Sequence, residues 1–232
     1  FVGSYEFINK VPRYALFITK NNLEKTTAIA PISQRIDAVR EMRLESKKEA
    51  TRERAEYPYE FGELRYKYSD CTILIPRVSS ERRRFIPFGY IGEDVLVSDS
   101  AQAIYNCEPW VLSVISSTMH VIWVRAVGGR LKSDYRYSSV LCYNTFPFPN
   151  ISKRKMEELT QRALSIIEVR EKYSDRTLAE LYDPDKMPLE LIEAHKTNDE
   201  AVERCYRVTP FNNQEERLEY LFKLYEKMIH EE

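Results

Sequence analysis

Residues 107–127, CEPWVLSVISSTMHVIWVRAV, constrain the fold more than any other stretch of the chain. An amphipathic surface helix shows one apolar stripe, but this segment is apolar nearly all round. It must therefore be a helix covered on every side by the rest of the protein. Glu108 and Pro109 stand where a first helical turn wants them, and Gly128 with Gly129 stops it. A chain of 232 residues is long enough to wrap such a scaffold. No run reaches the roughly 18 apolar residues of a membrane span, and no charged-then-apolar leader opens the chain. The opening Phe1 in place of methionine suggests a piece of something longer.

The segments before this helix read as short strands. RYALFIT (13–19), CTILIP (71–76), RRFIPFGY (83–90) and DVLVS (94–98) carry β-prone residues between turn clusters. Residues 33–56 interrupt them with alternating charges and a partial stripe of Ile36, Val39, Met42 and Leu44, which predicts one long exposed helix. Its Arg40, Arg43, Lys47, Lys48, Arg52 and Arg54 either follow a phosphate backbone or belong to an evenly mixed solvated face. VLCYNTFPFP (140–149) reads as a last strand closed by prolines. Beyond it the texture changes to amphipathic helices at 152–173, 189–207 and 215–231, with a short helical turn and break at TLAELYDPDKMP; Ser152 is placed to cap the first. The expectation is an α+β domain over 1–150, a mixed or antiparallel sheet around a buried helix, followed by a small all-α domain over 151–232.

Charge divides at the same point. The chain is net −1, yet residues 151–232 carry −5 and the first 150 carry +4. The excess is concentrated in RVSSERRRF (77–85) and around RLKSDYRYS (130–138). Screening confines a charge's reach to about 8 Å at physiological salt, so local density decides whether phosphates are contacted.

Catalytic constellations are missing from the sequence. Six glycines form no GxGxxG or phosphate loop, and neither GxSxG nor HExxH occurs. His120, His195 and His230 have no partner at metal-ligand spacing, and His120 reads as a hydrogen-bonded core residue. Asp183-Pro-Asp-Lys186 reads as a helix-breaking turn rather than a nuclease motif. Cys71, Cys107, Cys142 and Cys205 are far apart, which suits reduced, mostly buried thiols of a cytoplasmic protein.

Six blocks in order, FVGSYEFIN (1–9), IPRVSSERRRFIPFGY (75–90), VRAVGGRLKSDYRYS (124–138), YNTFPFP (143–149), LYDPDKMP (181–188) and LYEKM (224–228), give the chain a family resemblance. It resembles the C-terminal part of bacterial class I S-adenosylmethionine-dependent DNA methyltransferases of the MmeI-like (type IIL restriction–modification, YeeA-like) family. That resemblance implies a target recognition domain followed by a helical C-terminal domain. It implies a parent that methylates adenine N6 within a defined DNA site, using S-adenosylmethionine bound to an N-terminal methylase core. Some members also carry a nuclease domain. The Asn-Pro-Pro-Tyr-type motif and glycine-rich cofactor loop of that core are not in this sequence, so the fragment itself is expected to be non-catalytic and to hold no cofactor. The partners implied are double-stranded DNA and the methylase core; no membrane is expected.

Reading a DNA site requires holding phosphates and touching base edges. Arginine does both, and an acid accepts from cytosine N4. The candidate contact residues are accordingly Arg77, Ser79, Ser80, Glu81, Arg82 and Arg84 in the first basic segment, and Arg130, Lys132, Asp134 and Arg136 in the second. Ser98 and Asp99 of VSDSAQ (97–102) form a third, weaker loop. Glu81 and Asp134 either read bases or pair with neighbouring arginines. Strand alternation would turn Arg82 and Arg84 toward DNA and Arg83 away, and Tyr135 and Tyr137 are candidates to stack on bases. The two basic segments are expected on one face as two walls of a basic cleft, with the helix of 107–127 behind them. The competing function is a protein-interaction module, in which the acidic helical part docks on the missing core and the arginines pair with that partner.

Overall fold

The computed structural model describes residues 1–64 and 66–230. It divides into two compact units, one built from 1–13 and the chain from Tyr68 onward, the other from 14–67. The architecture is α+β, with small antiparallel sheets and a larger share of helix.

In the first unit, β1 (Thr72–Pro76) is the central strand of a sheet, flanked by β3 (Gly89–Ile91) and β4 (Ala101–Tyr105). All five β1 residues are buried, as a strand covered on both faces requires. Thr72 lies opposite both Ile91 and Tyr105, fixing the register on both sides. The second sheet is a ribbon of β2 (Val78–Ser79), β6 (Asp134–Arg136) and β5 (Gly129–Leu131), with β6 in the middle. Over these sheets lie α5 (Trp110–Ile115) and α6 (Thr118–Val127), and around them α7 (Lys153–Lys172), α8 (Leu178–Leu181), α9 (Leu189–Tyr206) and α10 (Gln214–His230). Glu231, at the end of the last expected helix, lies outside the described residues.

The scaffold 107–127 is buried as expected, but it is two helices. Ser117 adopts extended backbone, its hydroxyl accepting from the His120 N–H and donating to the Val114 carbonyl at 2.6 Å. Serine hydroxyls compete for backbone groups in this way and recap a helix where periodicity alone reads straight through. One face of the pair joins Ile73, Ile75 and Phe88 with Ala163 in a core, and the other packs Trp123 and Met119 against Leu159, Val202 and Leu221. Each such side chain, fully buried, contributes about 1.5–3 kcal/mol. Gly128 ends α6 because the chain must turn tightly there; a Cβ would stand 2.4 Å from the Val124 carbonyl oxygen.

Several expected strands do not form. Residues 13–19 have no regular structure. RRFIPFGY pairs only over its last two residues, because Pro87 lacks a donor and Phe85 and Phe88 are both fully buried instead of alternating. In DVLVS only Val97 makes a bridge, to Val2. VLCYNTFPFP begins as a π-helical turn over Ser139–Tyr143 under a Ser138 cap, and the basic loop 130–138 is instead largely strand. Ser152 caps α7 in position, though its side chain makes no cap hydrogen bond; α8 has a full capping box between Thr177 and Glu180.

The thiols of Cys71 and Cys107 stand 3.1 Å apart, and burial, then the neighbouring sulfur, pushes the Cys107 thiol up to about 12. Cys142 is also buried. Among the described residues no helix is long and apolar enough to cross a membrane.

The second unit holds α2 (Leu23–Thr27), α3 (Ala30–Leu44), α4 (Glu49–Glu53) and a 3₁₀ turn over Arg54–Glu56. The expected long helix is thus broken after Leu44, where the Ser46 hydroxyl accepts from the Lys48 N–H. Arg43, counted among its solvated or phosphate-facing cations, is buried. Its guanidinium donates to the carbonyls of Arg54, Tyr57 and Glu60 at 2.6–2.8 Å.

Candidate nucleic-acid interface

The two basic segments come together, not as facing walls but as adjacent strands. Val78 is opposite Arg136 and Ser79 opposite Tyr135, while Gly129, Arg130 and Leu131 pair with Arg136, Tyr135 and Asp134. Residues directly opposite one another share a face. Ser79, Tyr135 and Arg130 therefore lie on one face of the ribbon, and Val78, Arg136 and Gly129 on the other. Tyr135 is held between two cations, with Arg130 4.1 Å and Arg125 5.5 Å from its ring centre. Arg125 also donates to the Arg83 carbonyl at 3.1 Å, tying α6 to the arginine run. The scaffold helix thus braces the ribbon through a residue not counted among the candidate contacts.

The third loop joins the same place. The Ser98 and Ser100 hydroxyls are 2.8 Å apart, the Ser4 N–H donates to Ser100 Oγ at 3.2 Å, and the Ser4 hydroxyl meets the Ser100 carbonyl. The Arg77 N–H donates to Ser4 Oγ at 3.0 Å, and to the Ser100 carbonyl at 3.3 Å. FVGSYEF at the N-terminus, which runs into α1 (Ser4–Asn9), is therefore the brace that brings 98–100 to the start of β2; its glycine and serine were the available signal. Gly3 allows the approach, since a Cβ there would fall 2.4 Å from Ser98 Oγ.

The acids bridge the loops. The Glu81 N–H donates to Asp134 Oδ1 at 3.3 Å, and the Glu81 carboxylate is 3.9 Å from Arg130. Arg83 is half-buried; burial lowers its pKa, against the opposing pull of Asp134 and Asp183. Arg82 turns to Asp185 of the DPDK turn at 2.7 Å, an exposed pair worth at most about 1 kcal/mol. Arg84 lines a cavity of about 380 Å³ together with Asp199 and Glu203 of α9. Residues 82–84 are not a strand, yet the facing expected of one is kept: Arg82 and Arg84 are exposed and Arg83 is half-buried. Lys132 and Arg136 are exposed and make no ion pair among the described residues; Asp99 is exposed, and Arg77, Ser80 and Ser98 are half-buried. Two candidates are corrected. Ser79 is only 3% exposed, inside β2, and Tyr137 is 2% exposed.

Tyr137 belongs to the core, its hydroxyl 2.9 Å from His120 Nε2. Burial lowers the His120 pKa to about 3, so the ring is neutral. A second buried network holds the segment after the arginines. Arg170 of α7 donates to the Phe88 carbonyl at 2.6 Å and to the Tyr182 hydroxyl, which is 2.8 Å from His195 Nε2. Phe85 stacks on His195 at 4.1 Å. No sequence signal marks these pairings, because their members are 12 to 110 positions apart.

Known proteins resemble the chain along its whole length. A DNA methyltransferase A of Bacillus subtilis (strain 168) is 43% identical over 228 residues, 98% of this chain but 26% of that protein. The structure of the type IIL restriction–modification enzyme MmeI in complex with DNA superposes with a TM-score of 0.93 at 38% identity, over 99% of this chain and 30% of the other. The chain thus spans less than a third of either relative. Family models for the MmeI target recognition domain and the MmeI C-terminal domain match residues 1–150 and 150–231 in succession. With both models accounted for along its length, the chain belongs to the MmeI family.

Proposed function

We propose that this chain is a double-stranded DNA target recognition module of a site-specific adenine-N6 methyltransferase of the restriction–modification type. The observation that carries the reading is the ribbon: three polar loops converge on β2, β5 and β6, and the hairpin presents Lys132 and Arg136 exposed and, among the described residues, without ion pairs. Arg77, Arg130, Ser80, Ser98 and Asp99 complete the surface, and Glu81 and Asp134 order the loops until a base competes for them. Arg82 is paired with Asp185 of the helical part and reaches a phosphate only by leaving it, while Arg84 faces the cavity it shares with Asp199 and Glu203. We place the reading surface in 1–150 and its support in 151–232.

Methyl transfer and S-adenosylmethionine belong to the remainder of the parent chain. The residues present do not fit that cofactor, since the six glycines form no glycine-rich loop and no Asn-Pro-Pro-Tyr-type motif occurs. Supplied there, the cofactor provides the methyl group; this chain's part is to choose the site.

Fluorescence anisotropy with duplex DNA across a salt series tests the proposal. Affinity should fall with salt, and Arg136→Ala should reduce the log–log slope by about one unit. No binding even at low salt would overturn it.

A further inference from the structure

Cys71 stands just before β1 and Cys107 just after β4, and their sulfurs are 3.1 Å apart. Cys71 is half-buried and Cys107 is 9% exposed. Strand register alone does not deliver this contact. Thr72 lies opposite Tyr105, so a regular ladder would set Asn106, not Cys107, against Cys71. Instead Asn106 takes φ 53°, the left-handed conformation that asparagine tolerates better than most residues. Asn106 and Cys107 then face the single residue Cys71, as in a β-bulge. The Cys107 N–H donates to the Cys71 carbonyl at 3.3 Å. Ser69 fixes the arrangement, its hydroxyl accepting from the Asn106 N–H at 2.8 Å and donating to the Cys71 carbonyl at 2.7 Å.

Two small thiols could pack at the end of a regular ladder without a left-handed residue or a dedicated serine. The bulge does something more particular, since it sets one sulfur against the other. A disulfide holds its sulfurs about 2.05 Å apart, so an approach of about 1 Å separates these thiols from a bond. Among the described residues no third His, Cys, Asp or Glu joins the pair to hold a metal ion.

We propose that Cys71 and Cys107 form a reversible oxidation site, at which hydrogen peroxide converts the two thiols to a disulfide tying the start of β1 to the end of β4. Cys71, the more accessible, attacks one peroxide oxygen as its thiolate. The O–O bond breaks, the departing hydroxide takes up a proton as water, and Cys71 is left as a sulfenic acid. The Cys107 sulfur then displaces the remaining hydroxide from Cys71, and the Cys107 proton leaves with it as a second water. The two thiols lose two electrons and two protons, and the peroxide gains both. Burial, which pushes the Cys107 thiol up, makes the second step the slower one. The site stands independently of what the basic ribbon binds.

The bond would close the chain from 71 to 107, a loop that contains RVSSERRRF and 98–100. It lies at the far end of the sheet from those segments, because Pro76 and Ala101 pair at the other end of β1 and β4. Closing a loop removes open states of the segment inside it. Oxidation therefore tightens the strands beneath the candidate interface and leaves its contact residues untouched.

The test exposes the folded full-length parent to hydrogen peroxide, followed by proteolysis without reductant and mass spectrometry. A Cys71 peptide joined to a Cys107 peptide, lighter by two hydrogens and separated again by dithiothreitol, is expected. Amide hydrogen exchange over 72–76 and 101–105 should slow by about tenfold or more in the oxidised form. In Cys107→Ser, dimedone should trap a sulfenic acid at Cys71; in Cys71→Ser it should leave Cys107 unlabelled. Thiols that stay free, a bond from either cysteine to Cys142, Cys205 or another chain, or Cys71 carried on to a sulfinic acid beside an unchanged Cys107 would each overturn the proposal. A disulfide that leaves exchange unaltered would overturn the tightening. The peptide map on the unsubstituted protein decides the matter even where a serine variant fails to fold.

Discussion

Asp199 of α9 caps α6 from outside, accepting at 2.6 Å from both the N–H and the hydroxyl of Thr118. Burial raises its pKa from 3.8 to about 6, against the lowering effect of those two bonds. A carboxyl whose folded value lies above its unfolded value stabilises the fold when protonated. That contribution is full below about pH 4 and is lost as pH rises through about 6. Two units correspond to about 3 kcal/mol as an upper figure. Asp199→Asn should keep the Thr118 contacts and remove the dependence. In urea titrations the variant should gain on the parent sequence as pH rises from about 4 to about 6 and run parallel to it above, and curves parallel from pH 4 upward would show that the carboxyl is ionised throughout. At the ribbon the residue-scale question is reading against holding. In the full-length parent, replacing Glu81, Lys132 or Asp134 should change the base accepted at one position, at about 1–3 kcal/mol of discrimination, if that side chain touches a base edge. Replacing Arg136 should weaken all sequences alike. Methylome sequencing of single substitutions separates the outcomes, and an unaltered site in all three variants would move base reading to 97–102.

Among the elements, the β5–β6 hairpin carries an internal conflict. Lys132 at its tip has φ 56°, the left-handed region that costs a side-chain-bearing residue about 1 kcal/mol. Strain kept at an exposed turn is a hint of function. Lys132→Gly should therefore raise stability by about 1 kcal/mol while lowering DNA affinity and its salt slope. A variant that is more stable and binds equally well would leave the lysine without a role in DNA contact. At α8 the capping box of Thr177 and Glu180 sets the turn that delivers Tyr182 to Arg170 and His195. Thr177→Ala should cost about 1 kcal/mol, read as a lower midpoint in urea.

For the whole molecule, the decisive fact is that residues 68–230 share their cores. Val114, Met119, Trp123 and Phe146 pack with Leu159, Ala201, Val202 and Leu221, and Arg170 and His195 pin the backbone and ring of Phe88 and Phe85. Deleting 151–232 should thus abolish folding rather than alter sequence choice. The emission of Trp123 should shift to that of a solvated indole, and the truncated parent should methylate nothing. A truncated parent that methylates a different sequence at full rate would refute this.

The sequence by itself determined what periodicity and local chemistry can express. An all-round apolar run has to be buried, amphipathic runs over 152–207 have to form helices on its outside, and CTILIP has to be a covered strand. Each of these follows from the residues of one short window. The break at Ser117 was decided by hydrogen bonds to Val114 and His120 that compete with helix continuation, and the loss of strand over 83–88 by two phenylalanines finding pockets on α6 and α9. The site divides the same way. Arginine density marked both basic segments, but which cations stay free depended on where Asp185 and Glu81 arrived in space. Those carboxylates lie 103 and 49 positions from the arginines they meet, and pairing at that separation is set by packing of the core, which no local pattern encodes.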